Sequence, residues 1–184
     1  MELRNILDDG AEFKEQVYAL YEEAFPPEEK KPVPLMEMLA EKGQMELLAV
    51  VEEGRFTGLA FNMMNGGTAL LDYFAVSPEI RNGGLGSRSL ALLLERFRDR
   101  KYIFEIEMQD EAADNAEDRK RRKAFYLRNG LKETGLFVHV YGTDFELLTP
   151  DGSLTYEEYT GFLGQILGEE GLQVLNPSLI SQLK

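Results

Sequence analysis

Cysteine is absent from the 184 residues, which excludes a disulfide framework and any cysteine-ligated zinc site. A single histidine excludes a histidine-rich metal centre, so no metal is expected. No apolar run approaches the roughly 20 residues that a bilayer-spanning helix needs, and no membrane partner is expected. The opening Met-Glu-Leu-Arg-Asn-Ile-Leu-Asp-Asp lacks the basic start and apolar stretch of a secretion signal, so the expected setting is cytoplasmic. Basic residues are the minority: 20 Lys and Arg against 33 Asp and Glu leave a formal net charge of −13. Such a surface repels nucleic acid and anionic lipid and concentrates cations. It suits an amine substrate, and equally it suits plain solubility. With 43% apolar residues, the chain can fill the core of one domain.

The most informative stretch runs from Leu70 to Phe97. Apolar and aromatic residues ending at Val76 have the length of a buried strand. Ser77 and Pro78 end it, because proline has no amide to give a ladder. Leu90, Leu93, Leu94 and Phe97 then follow the spacing of an amphipathic helix. Between them lies Arg81-Asn82-Gly83-Gly84-Leu85-Gly86-Ser87. Glycines ahead of a helix leave its first amides uncovered, and with the helix dipole these form an anion site. The plainer alternative is a simple glycine turn. A P-loop is excluded, since Gly86-Ser87-Arg88 lacks its lysine, and a dinucleotide fingerprint fails at Ser89.

Along the rest of the chain, residues 3–7 suit a first strand, and Phe13, Val17, Leu20, Tyr21 and Ala24 a helix. The proline-rich segment 25–34 breaks it, and a second helix around Leu35–Leu39 ends before Gly43. Strands are expected at 45–52 and 55–63 about the Glu53-Gly54 turn, and at 68–76 after Asn65-Gly66-Gly67. A further strand covers 102–108, a helix 116–128, and a late hairpin 137–141 with 145–148 around Gly142-Thr143-Asp144. This order implies a mixed sheet. A helix capped by Ser153 or Thr155 follows, and residues 168–184 have room for one more short helix.

Three carboxylates stand out. Glu105 and Glu107 alternate along one strand, which puts both on one face, and Asp72 sits on the preceding strand. Each reads either as a paired structural charge or as the base that takes a proton from an ammonium. Tyr126, next to Phe125 on a helix, reads by itself as core packing. The run Arg119–Lys123 follows an acidic segment and reads as local charge pairing, and His139 is assigned no role.

Taken together, Val76-x-Pro78-x-x-Arg81-x-x-Gly84-x-Gly86 and the later Ala124-Phe125-Tyr126-Leu127-Arg128-Asn129-Gly130-Leu131 resemble the two markers of the GNAT N-acetyltransferase superfamily. The resemblance covers residues 1–149. It implies an α/β (α+β) fold with a mixed, mostly antiparallel central sheet flanked by helices. Residues 150–184 would be a C-terminal helical extension, packed on the core or on a second subunit in a homodimer. It also implies an enzyme that transfers an acetyl group from acetyl-CoA to an amine, on a small molecule or a protein, by direct attack in a ternary complex. The helices flanking segment 25–34 would lie over the acceptor site. A bulge at the end of the fourth strand would free the amides of Phe74 and Val76, on either side of Ala75, for the thioester carbonyl and pantetheine arm. Arg81, Asn82, Gly83, Gly84, Leu85, Gly86 and Ser87 would hold the pyrophosphate. Tyr126 would protonate the departing thiolate. Among the three carboxylates, position along the strand slightly favours Glu107 over Glu105 as the base, with Asp72 next. The chain departs from the pattern at Asn82 and Gly83, where glycine and a basic residue are usual; Arg88 is the candidate replacement. It departs again at Arg119, where asparagine is usual, with Asn115 the nearest alternative. These departures leave a second expectation open, a catalytically silent CoA-binding or regulatory module.

Overall fold

The computed structural model describes residues 1–78 and 83–182. The chain divides into two compact units, Met1–Asp99 and Arg100–Lys184. In the first, β1 (Glu2–Asn5), β2 (Met45–Glu52), β3 (Arg55–Asn65) and β4 (Thr68–Val76) lie side by side in that order, each antiparallel to its neighbour. Helices α1 (Lys14–Ala24) and α2 (Val33–Glu41) separate β1 from β2, and α3 (Leu85–Arg96) follows β4. The second unit holds β5 (Lys101–Glu107), α4 (Ala116–Arg128), β6 (Lys132–Val140), β7 (Thr143–Thr149), α5 (Tyr156–Leu175) and β8 (Ser178–Gln182). Its strands run β5-β7-β6-β8, again antiparallel. The class is the mixed, mostly antiparallel α/β arrangement expected, with the expected C-terminal helix.

Local chemistry explains the turns. Glu53 and Gly54 both adopt positive φ, as do Tyr141 and Gly142, the backbone of tight primed turns whose twist matches the flanking strands. The late hairpin therefore turns at Tyr141-Gly142, one step before the expected centre. β6 also begins earlier than expected, because a register irregularity between Glu133 and Phe137 accommodates Gly135 at positive φ and lets pairing continue back to Lys132. In β2, Leu47, Leu48, Ala49 and Val50 are all fully buried, so both faces are covered and the apolar run is continuous.

At the C-terminal end, Thr155 is the cap of α5. Its hydroxyl accepts the Glu158 amide at 3.2 Å, and the Glu158 carboxylate accepts the Thr155 amide at 2.8 Å. Gly168 leaves the helical region, so the expected additional helix is the second part of α5. β8 was not anticipated: its apolar content is one Leu-Ile pair between serines, and pairing with β6 defines it. Residues 150–184 share the second unit with β5–β7. Tyr159, Phe162, Leu163 and Ile166 of α5 are buried within the single chain.

Candidate active site

The end of β4 has a defined polarity. Phe61 pairs with Tyr73 but Asn62 pairs with Leu71, so Asp72 is the extra residue of a β-bulge. Beyond it the Ser77 amide donates to the Thr57 carbonyl at 2.9 Å. Hydrogen-bonded pairs alternate along an antiparallel ladder, so Tyr73 and Ala75 also face β3 while the amides of Phe74 and Val76 point away from it. The bulge thus lies at Asp72, two residues ahead of the amides that the resemblance singles out. Gly58 lets β3 approach this segment. A Cβ there would stand 2.6 Å from the Ala75 carbonyl oxygen and 3.2 Å from the Val76 Cα, and backbone cannot yield cheaply. Gly58→Ala is expected to cost about 1–3 kcal/mol in urea unfolding; parent-like stability would show that the strand end gives way freely.

The following loop opens onto α3. Gly83 and Gly84 have φ of +94° and +71°, both are exposed, and a Cβ at either would meet nothing within 4 Å. Gly84 is the N-cap and offers no side chain, so among the described residues no side chain caps the first-turn amides of Leu85, Gly86 and Ser87. Buried Leu85 anchors the turn, and the Ser89 hydroxyl donates to its carbonyl at 2.9 Å. Open backbone at a positive helix end fits a diphosphate group. Arg81 and Asn82 lie outside the described residues. The Arg88 guanidinium is engaged with the Glu52 carboxylate.

In the second unit, Tyr126 packs its ring 5.4 Å from Phe104 and 5.3 Å from Phe125. Burial pushes its phenol up to about 12, partly opposed by the Arg122 charge. The group therefore keeps its proton throughout the neutral range.

The candidate bases have different partners. Glu107 is bound by Arg119 at 2.9 Å, Arg122 at 3.0 Å and the Asn115 amide at 3.1 and 3.2 Å. These contacts make Glu107 the hub of an ion-pair network. Glu105 accepts from the buried Tyr159 hydroxyl at 2.5 Å. Asp72 is held by the Lys31 ammonium at 2.7 and 2.9 Å. Arg119, standing where an asparagine is usual, also donates to the Met108 carbonyl at 2.8 Å and to Asn115 at 2.7 Å.

The basic run is paired throughout: Arg119 and Arg122 with Glu107, Lys120 with Glu117, Arg121 with Asp118, and Lys123 with Glu133 and Glu146. His139 Nδ1 lies 2.6 Å from Asp144. Sequence reasoning assigned no role to Lys31, Tyr73 or Tyr159, since no motif marks a partner 41 to 54 positions away.

Residues 14–130 match the model of the acetyltransferase (GNAT) family. The structure is similar to that of a GNAT-family protein from Bacteroides thetaiotaomicron, with a TM-score of 0.72 and 22% identity over 93% of this chain and 98% of that one. It is also similar to an aminoglycoside 6′-N-acetyltransferase solved with coenzyme A (TM-score 0.61, 17% identity, 81% and 96% covered). A third likeness is to the ribosomal-protein-alanine N-acetyltransferase from Brucella melitensis (TM-score 0.54, 20% identity, 81% and 98% covered). No curated protein matches the chain. At these identities the solved structures speak for the fold, and the family match adds the lineage: this chain belongs to the GNAT acetyltransferase family, and with it to the acyl-CoA-dependent N-acyltransferases.

Proposed function

We propose that the protein transfers the acetyl group of acetyl-CoA to an amine by direct attack within a ternary complex. The first turn of α3, whose N-cap Gly84 carries no side chain, behind the open Gly83-Gly84 backbone is the observation that carries this reading, since its amides can take a diphosphate without a dedicated cation. The similar aminoglycoside enzyme solved with coenzyme A and the ribosomal-protein enzyme support an amine acceptor. Acetyl-CoA would supply the acyl group as an activated thioester. The chain's own groups then divide three tasks. The Val76 amide, directed away from β3, is the donor placed to polarise the carbonyl. Tyr126, protonated at neutral pH, is the acid for the departing sulfur. A carboxylate takes the proton that the amine must lose, and the engagement of Glu107 by two guanidinium groups leaves Asp72 and Glu105 as the stronger candidates.

Incubating the protein with acetyl-CoA and a panel of primary amines while following free thiol is the direct test. Thiol release that depends on one amine class is expected; CoA binding without release across the panel would favour the silent module instead. Gly84→Asp puts a carboxylate against the proposed diphosphate site. It is expected to weaken CoA binding by at least about tenfold in calorimetry, as a single repulsive charge of about 1.4 kcal/mol would. Unchanged affinity with the fold intact would remove the loop from the site.

A further inference from the structure

We propose that Asp72 and Tyr73 form a subsite for a primary ammonium ion, that the Lys31 side chain fills it in the resting protein, and that the acceptor amine displaces it. This rests on the reading of the β4 end as the acyl site. The Lys31 Nζ lies 2.7 and 2.9 Å from the two carboxylate oxygens of Asp72 and 5.3 Å from the centroid of the Tyr73 ring. A carboxylate and an aromatic face together are the setting in which an alkylammonium is held. The Asp72 side chain is only 10% exposed, so the carboxylate needs a cation, while Lys31 at 27% exposure keeps a route to water.

The segment that carries Lys31 does not depend on this ion pair. The Lys31 amide donates to the Tyr73 hydroxyl at 3.0 Å, and that hydroxyl donates to the Glu29 carbonyl at 2.6 Å. The Tyr21 hydroxyl donates to the Lys31 carbonyl at 3.0 Å, and Phe25 packs edge-on to the Tyr73 ring at 4.9 Å. Backbone and rings thus pin the segment to β4, and the ammonium can swing away while its main chain stays. Asp72 is the bulged residue, two positions before Phe74, or about 7 Å along the strand. An ammonium exchanged into this place is close to the proposed acyl site, and the same carboxylate can then accept its proton directly or through one water. The occupant already present defines the ligand class: a primary ammonium on an unbranched alkyl stem, drawn in by a net charge of −13.

The test uses the full chain without acetyl-CoA and n-butylamine as probe, followed by NMR of the Lys31 side chain. n-Butylamine is expected to move the Lys31 resonances saturably, and n-butanol, with the same stem and no charge, to leave them in place. If Lys31 fills the subsite about nine-tenths of the time, its removal raises apparent affinity about tenfold. Lys31→Met is therefore expected to bind n-butylamine about tenfold more tightly, Lys31→Arg to stay near the parent, and Lys31→Met with Asp72→Asn to lose the gain. An unmoved Lys31 signal, or a gain that survives Asp72→Asn, would overturn the proposal. Because no acyl group is transferred, failure here leaves the acetyltransferase reading standing, and an inactive enzyme with the expected binding would leave the subsite standing.

Discussion

Tyr126→Phe is expected to lower turnover by about 10²–10⁴-fold while leaving stability and CoA affinity near those of the parent. The substitution keeps the ring and its contacts with Phe104 and Phe125 and removes only the hydroxyl. Because burial holds this phenol near 12, the parent retains the acid form throughout the neutral range, and no loss of activity from this group is expected there. The variant should respond most where expulsion of the thiolate limits the rate, and least with an acyl donor whose leaving group is less basic and needs no proton. An undiminished kcat, with the chemical step shown to be rate-limiting, would assign the proton to another donor.

The largest expected effect on stability lies at Lys123, away from the proposed chemistry. Its ammonium bonds both oxygens of Glu146, at 2.9 and 2.8 Å, and also meets Glu133. The Glu146 side chain is 2% exposed, so Lys123→Met would leave a carboxylate buried without its cation. Removing one partner of a buried pair costs about 3–5 kcal/mol. Lys123 is itself partly exposed, which places the expected loss near the lower end of that range.

The pH dependence follows from the shifts. Burial holds the Glu146 carboxyl above its ordinary value, with Lys123 pulling it back. Without Lys123 it rises further. A raised carboxyl destabilises the fold at pH above its folded value, and the penalty disappears as pH falls below its unfolded value. The stability gap between variant and parent in urea titrations is therefore expected to narrow from pH 7 toward pH 4. Lys123 has the opposite sign: burial lowers it, but Glu133 and Glu146 together raise it, so its contribution is present at neutral pH and lost only at strongly alkaline pH. A gap that stays constant between pH 7 and pH 4 would show that Glu146 is not the group left uncompensated.

The sequence by itself determined what short-range rules can encode. Leu90, Leu93 and Phe97 repeat at helical spacing and are buried, and β4 and α4 begin and end where residues 68–76 and 116–128 were expected to. The glycines before α3 and the Phe-Tyr helix were legible because each depends on neighbouring residues, and their order along the chain was sufficient to name the family. What the tertiary structure decided concerns groups whose partners are distant in sequence. Nothing in Tyr102–Met108 tells that Glu107 meets two arginines of α4 while Glu105 meets the hydroxyl of Tyr159. Nothing in Pro26–Pro34 tells that Lys31 lies on Asp72. β8 likewise exists because β6 offers it an edge, which five residues of weak local preference cannot announce. The physical reason is common to all three cases. Helix and turn formation is governed by contacts within a few residues, whereas the partner of a carboxylate or of a short strand is chosen by packing, which only the folded chain brings together.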